Sequence, residues 1–210
     1  MKMIILIGPQ GSGNHLFSKI FSLHDDVCGW KAALEPNGYF IPHIYEPFNP
    51  YWNDPSQITA DIMGGKDYAV TSVSSPYMVN YLPKIPPVDE FTAQLTSCDI
   101  DYQIVVIGRD RNILTAQQTR LRGGPTWGTM SLLLNSLETP PFFVSQELLY
   151  LYGKHYLRSL ADILEFPIVW NDPRIEHILA ADANMKYIQP CARTELDDYV
   201  NDFNKPPWLK

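Results

Sequence analysis

The chain has 210 residues, of which 45% are hydrophobic and 19% are charged, and its formal net charge is −7. This length and composition are enough to bury a full core, so we expect a single globular domain over residues 1–210. The chain has only 16 lysine and arginine residues, which argues against the dense basic surface that binds a nucleic-acid backbone, so we expect no nucleic-acid partner.

The cysteines and the first apolar run predict where the protein works. Cys28, Cys98 and Cys191 lack CxxC or histidine-rich spacing, so they suggest neither a zinc site nor a disulfide framework. They are typical of reduced thiols in a cytoplasmic protein. The opening MKMIILIG is too short to span a membrane and leads directly into a glycine turn. We therefore expect a first core strand, no membrane span and no metal site.

Apolar runs alternate along the chain with helical patterns, which is typical of a parallel β-sheet with helices packed on it. We therefore predict an α/β fold with three α/β/α layers. The predicted strands cover residues 3–8, 68–73, 102–108 and 167–170, and the predicted helices cover residues 15–23, 88–97, 111–122 and 145–166.

Residues 30–56 depart from this pattern, because they are rich in proline and aromatic side chains and have no period. Two interpretations stay open. The stretch is either a long ordered loop that lines a site, or an aromatic cover over one end of the sheet.

The turn Gly8-Pro-Gln-Gly-Ser-Gly13 separates the first predicted strand from the first predicted helix. Its spacing is that of a phosphate-binding loop, where backbone N–H groups and a helix N-terminus converge on an anion. Nucleoside-triphosphate chemistry then needs a lysine and a hydroxyl, but Asn14 and His15 occupy these positions, so two recurring parts of phosphoryl transfer are missing. The turn either binds a phosphate that is not transferred or has no ligand.

A second anion site is predicted at the end of strand 102–108, where Arg109 follows the last apolar residues. The carboxyl ends of parallel strands share one edge of a sheet, and ligands bind at that edge in open α/β folds. The helix after Arg109 adds Gln117 and Gln118. Two anion sites at one edge favour a doubly phosphorylated nucleotide.

The segments GPQGSGNHLF and IVVIGRDRNILTAQQTRLRGG, in this order, resemble the sulfotransferases that use 3′-phosphoadenosine-5′-phosphosulfate. The resemblance implies a P-loop fold and this nucleotide as co-substrate. It also implies that the turn holds the 5′-phosphosulfate, that Arg109 holds the 3′-phosphate, and that Gln117 replaces a phosphate-binding serine. The positions that match the family's 5′ loop are Gly11, Ser12, Gly13, Asn14 and His15.

This chain departs from the family at two places that matter for catalysis. The usual loop lysine falls at Gly11, a replacement that the family's P-G-S-G-N variant shares, and the catalytic histidine falls at Ser74. A base must still accept the proton of the acceptor hydroxyl. The candidates for the base are His43 and Glu46 in the aromatic stretch, and His15 in the glycine turn, with Glu35 as a further one.

The acceptor is predicted from the aromatic stretch 30–56, which follows the first helix. Aromatic faces with interspersed carboxylates and amides suit a sugar ring, so we expect a carbohydrate hydroxyl ahead of a phenol. The predicted activity is sulfuryl transfer to this small-molecule or glycan acceptor. The alternatives are a P-loop kinase-like phosphotransferase and a nucleotide-binding module without catalysis.

Overall fold

The computed structural model of the chain describes residues 1–30, 46–79, 82–122 and 124–180. A five-stranded parallel sheet, in the order β2-β3-β1-β6-β7, forms its centre, and β4 pairs with β5 in a separate antiparallel ribbon. The strands are β1 (Lys2–Pro9), β2 (Val27–Cys28), β3 (Tyr68–Ser75), β4 (Tyr77–Val79), β5 (Leu82–Lys84), β6 (Asp101–Gly108) and β7 (Phe142–Ser145).

Helices connect the strands and cover both faces of the sheet. They are α1 (Asn14–Phe21), α2 (Val88–Ser97), α3 (Arg111–Arg122), α4 (Trp127–Ser136), α5 (Gln146–Tyr152), α6 (Lys154–Leu164) and α7 (Arg174–Ala180). Between β2 and β3, the described residues form three short 3-10 helices, Asn49–Trp52, Pro55–Gln57 and Ala60–Met63. No helix in the described ranges is long and apolar enough to cross a bilayer.

Strand β1 shows why the sheet is buried on both sides. Its residues from Met3 to Ile7 are all fully buried, and side chains alternate between the two faces of a strand. Ile4 and Leu6 pack in a core cluster with α1, α5, α6 and α7, whereas Ile5 and its neighbours on the other face pack with α2, α4 and the 3-10 segment. The fold is therefore α/β with three layers, as the sequence predicts.

The register brings the strand ends together at one edge. β1 pairs in parallel with β3, which places Gly8 opposite Ser74, and with β6, which places Ile7 opposite Val106. From β1 the chain goes first to β2 and β3 on one side, then to β6 and β7 on the other. The order of strands thus reverses at β1 and β6, and open α/β sheets bind ligands in the crevice outside such a reversal.

The predicted strand at 167–170 is wrong. Pro167 offers no N–H to a sheet ladder, and the N–H groups of Ile168 and Trp170 donate to Phe166 and Ile168, two residues back. The outermost strand on this side of the sheet is β7, which pairs with Val105–Gly108 of β6. The predicted helix 145–166 is also interrupted, because α5 and α6 are separate helices on either side of Gly153.

We expect Gly8→Ala to destabilise the protein by about 1–3 kcal/mol, as overpacking does in a closed core. An added Cβ would stand 2.6 Å from Asn14 Oδ1 and 3.0 Å from the Ile107 carbonyl oxygen. Urea unfolding measures the loss. The control is Gly128→Ala in α4, where a Cβ meets nothing within 4 Å and should stabilise the helix slightly. Equal midpoints for wild type and Gly8→Ala would contradict this packing.

Candidate functional site

The glycine loop, residues 8–15, joins the end of β1 to the start of α1 at the carboxyl edge of the sheet. Gly11 and Gly13 have φ angles of +93° and +104°, which residues with a Cβ rarely adopt. The Ser12 N–H closes the turn on the Pro9 carbonyl at 3.0 Å. The loop therefore stands between the first strand and the first helix, as the sequence predicts.

The loop keeps several backbone donors available. The N–H groups of Gly11, Gly13 and Asn14 make no hydrogen bond to another described residue. The last two of these groups belong to the open N-terminal end of α1, where a helix carries partial positive charge. A cluster of such donors is suited to binding an anion.

Asn14 occupies the position where nucleoside-triphosphate chemistry needs a lysine, and its side chain points into the protein. It is 4% exposed. The two hydrogens of its Nδ2 are shared among three acceptors, the Gly8 and Val73 carbonyls at 3.2 Å each and Ser74 Oγ at 3.1 Å. Its Oδ1 accepts from Ser12 Oγ at 2.9 Å. The amide therefore ties the glycine loop to the ends of β1 and β3, and it brings no charge to the site.

Arg109 comes to the glycine loop from the end of β6. The residue is 7% exposed, and its Nη1 donates to the Gly11 carbonyl at 2.7 Å and to Gln117 Oε1. Gln117 in turn lies about 3.2 Å from the place where a Gly11 Cβ would stand. The structure thus brings three of the predicted nucleotide-binding residues into direct contact, with the guanidinium against the loop backbone.

Three more glutamines support the loop: Gln118, which the sequence places on the helix after Arg109, and Gln10 and Gln146, to which it assigns no role. Gln118 Nε2 donates to the Gln10 carbonyl at 2.7 Å, and Gln10 Nε2 donates to the Pro76 carbonyl at 2.9 Å. Gln146, the first residue of α5, is 1% exposed and lies 3.2 Å from the place of a Gly13 Cβ. Recognising β7 as a strand would have placed Gln146 at this edge.

His15 lies on the solvent side of the loop. It is exposed in the first turn of α1, and its ring meets Trp30 edge-on with a centroid distance of 4.8 Å. Lys19 Nζ lies 5.1 Å from the centroid of the same indole ring. The His15 ring therefore contacts Trp30, the first residue of the aromatic stretch.

Glu46 is buried beside the middle of β3. It is 1% exposed, and burial raises its pKa to about 8, against the opposing effects of the Thr71 hydroxyl and the Phe48 and Asn49 amides. Neither carboxyl oxygen makes a hydrogen bond of standard geometry to a described residue. Thr71 lies three residues before Ser74 on β3, so Glu46 sits deeper than the glycine loop.

The remaining residues predicted to face the acceptor are two candidate bases and the aromatic side chains of the stretch 30–56. His43 and Glu35 lie outside the described residues. Phe48 and Trp52 are fully buried, and Trp52 stacks on Phe91 at 4.1 Å and donates through Nε1 to Thr71 Oγ1 at 3.1 Å. These two aromatics therefore belong to the core on one face of the sheet.

A shallow concavity of about 320 Å³ lies at the opposite edge of the sheet, around Asp99, Asp101 and Tyr102. These residues are at the amino end of β6, whereas Arg109 follows its carboxyl end. The concavity is therefore remote from the glycine loop and contributes nothing to the candidate site.

No model of a known protein family matches the chain, and no curated protein matches it. Within the described ranges, no group of three or more His, Cys, Asp or Glu side chains is placed to hold a metal ion.

We expect Glu46→Gln to change how stability depends on pH. Because the folded pKa is about 8 and the ordinary value 4.5, the folded protein keeps a proton that the unfolded chain releases. Wild type should therefore lose stability as the pH rises from 4.5 through 8, by roughly 3–5 kcal/mol in total at about 1.4 kcal/mol per pKa unit.

Glutamine cannot ionise, so the variant should lack this loss. Urea unfolding at pH 5 and pH 8 measures the difference between the two proteins. Glu138→Gln, at an exposed glutamate, is the matched control and should follow wild type. Parallel pH profiles for wild type and Glu46→Gln would show that the carboxyl is ionised in the folded protein.

Proposed function

We propose that the protein is a sulfotransferase-like enzyme that transfers a sulfuryl group from 3′-phosphoadenosine-5′-phosphosulfate to a hydroxyl of a carbohydrate-type acceptor. One observation carries the proposal. The glycine loop offers N–H groups at Gly11, Gly13 and Asn14 that make no hydrogen bond to another described residue, beside an arginine that follows the neighbouring strand β6.

The neutrality of the loop supports sulfuryl transfer ahead of phosphoryl transfer. A transferring γ-phosphoryl group is stabilised by a loop lysine and by a metal ion held on a loop hydroxyl. Here the Asn14 amide donates to the Gly8 and Val73 carbonyls inside the protein, and His15 has no hydroxyl to hold a metal ion. A sulfuryl group carries less negative charge than a phosphoryl group, so backbone N–H donors can hold it without an ammonium group.

Arg109 and Gln117 support recognition of the second phosphate. Both side chains reach the loop from β6 and α3, and the guanidinium is held by the Gly11 carbonyl and Gln117 Oε1. An arginine held in a fixed orientation is well suited to a phosphate. In this proposal Arg109 and Gln117 contact the 3′-phosphate while the loop contacts the 5′-phosphosulfate.

The reaction is an in-line displacement at sulfur. The acceptor oxygen forms a bond to sulfur, the bond from sulfur to the bridging oxygen of the nucleotide breaks, and the acceptor proton passes to a base. The products are a sulfate ester and adenosine 3′,5′-bisphosphate. Alignment of the two substrates and donors to the leaving phosphate would lower the barrier.

Glu46 and His43 are the proposed bases. A carboxyl whose pKa is raised to about 8 is matched to proton transfer near neutral pH. An acceptor must reach the depth of Thr71 for Glu46 to take its proton directly. His15, which contacts Trp30, is the next candidate.

We expect wild type to transfer labelled sulfate from 3′-phosphoadenosine-5′-phosphosulfate to members of a sugar panel and not to a phenol panel. Glu46→Gln or His43→Ala should lower turnover by about 10²-fold or more, which is the usual contribution of a general base. Glu138→Gln is the control.

Transfer to phenols alone would overturn the acceptor assignment. Full turnover in both base variants would move the base to Glu35 or His15. Transfer of phosphate from ATP in the same assay would favour the kinase-like alternative. Tight nucleotide binding without any transfer would favour a non-catalytic module.

A further inference from the structure

A chain of hydrogen bonds leads from the glycine loop to the end of β3. Ser12 Oγ donates to Asn14 Oδ1 at 2.9 Å, and Asn14 Nδ2 donates to Ser74 Oγ at 3.1 Å. Ser74 lies opposite Gly8 in the register of β1 and β3, and it is half-buried at the sheet edge. The two hydroxyls are therefore joined through one buried amide.

The direction of these bonds is fixed by the neighbouring carbonyls. Asn14 Nδ2 faces the carbonyl oxygens of Gly8 and Val73, and because carbonyls only accept, this atom must be the amide nitrogen. Ser74 Oγ is then an acceptor toward Asn14. Because the amide nitrogen accepts no hydrogen bond, the hydrogen of the Ser74 hydroxyl points away from it.

The next residue, Ser75, faces the other side of the sheet from Ser74, because side chains alternate along a strand. Ser75 lies opposite Pro9, where the glycine loop leaves β1. Its side chain is 0% exposed, and its hydroxyl oxygen has no hydrogen-bond partner among the described residues. Val70 packs on one face of the sheet and Val73 on the other, so the unpartnered Ser75 hydroxyl belongs to the face away from Ser74 and is no evidence for a ligand there.

We propose that the Ser74 hydroxyl donates a hydrogen bond to the sulfuryl group of the nucleotide bound by the glycine loop. This inference rests on the proposed function and adds a contact that the nucleotide product, adenosine 3′,5′-bisphosphate, cannot make. Ser74 thereby selects the sulfated nucleotide over its product. Asn14 acts as the positioning residue, since its Nδ2 holds Ser74 Oγ at 3.1 Å and offers no acceptor to the hydroxyl hydrogen.

Calorimetric titration with two nucleotides tests the contact. Wild type, Ser74→Ala and Ser74→Thr are each titrated with 3′-phosphoadenosine-5′-phosphosulfate and with adenosine 3′,5′-bisphosphate. Ser74→Ala should weaken the phosphosulfate about 10-fold or more, as expected for a hydrogen bond to a charged group, and leave the bisphosphate within twofold. Ser74→Thr keeps the hydroxyl and should restore the affinity for the phosphosulfate.

Ser72→Ala is the matched control. Ser72 lies two residues earlier on β3, is fully buried, and its hydroxyl makes no described hydrogen bond, so both affinities should stay unchanged. Equal losses for both nucleotides in Ser74→Ala would overturn the inference, because Ser74 would then only support the loop. Unchanged affinities would overturn it as well. If wild type binds neither nucleotide, the proposed function itself fails and the inference with it.

Discussion

The candidate site depends on one buried side chain, the amide of Asn14. It joins the end of β1, the end of β3 and the glycine loop through its bonds to Gly8, Val73 and Ser12. Such a buried side-chain network fixes its members in place. A lysine at this position would bring a positive charge but has no acceptor to offer Ser12. With Asn14 in place of a lysine, the loop is held rigidly but gains no positive charge.

The sheet decides what this loop can meet. Because β1 pairs with both β3 and β6, the residues at the carboxyl ends of these strands converge on the loop from two sides. Ser74 arrives from β3, and Arg109 arrives from β6 with Gln117 behind it. Neutral donors therefore lie on one side of the loop and a single held guanidinium on the other. This polarity is the physical basis for proposing a nucleotide with one sulfated and one phosphorylated end.

Local signals in the sequence predict much of this arrangement. The apolar run before Gly8 and the glycines after it identify the first strand, the turn and the first helix, and helix α3 has the predicted bounds 111–122. Short strands are harder to predict from sequence. β7 has only four residues, and the apolar run after Pro167 has the pattern of a strand although it forms none. The hydrogen bonds of the Asn14 side chain could not be predicted from the sequence. Ser74 is 60 residues away along the chain, and only the pairing register of β1 and β3 brings the two residues together.

The most direct measurement is a calorimetric titration of the wild-type protein with adenosine 3′,5′-bisphosphate and, separately, with ATP and Mg²⁺. A neutral glycine loop beside Arg109 should bind the bisphosphate and should not bind the metal-bound triphosphate, because the lysine and the hydroxyl for the metal are absent. Binding of ATP and Mg²⁺ alone would contradict the sulfotransferase proposal and favour a kinase-like site. Binding of neither nucleotide would show that the glycine loop does not serve as an anion site for these ligands.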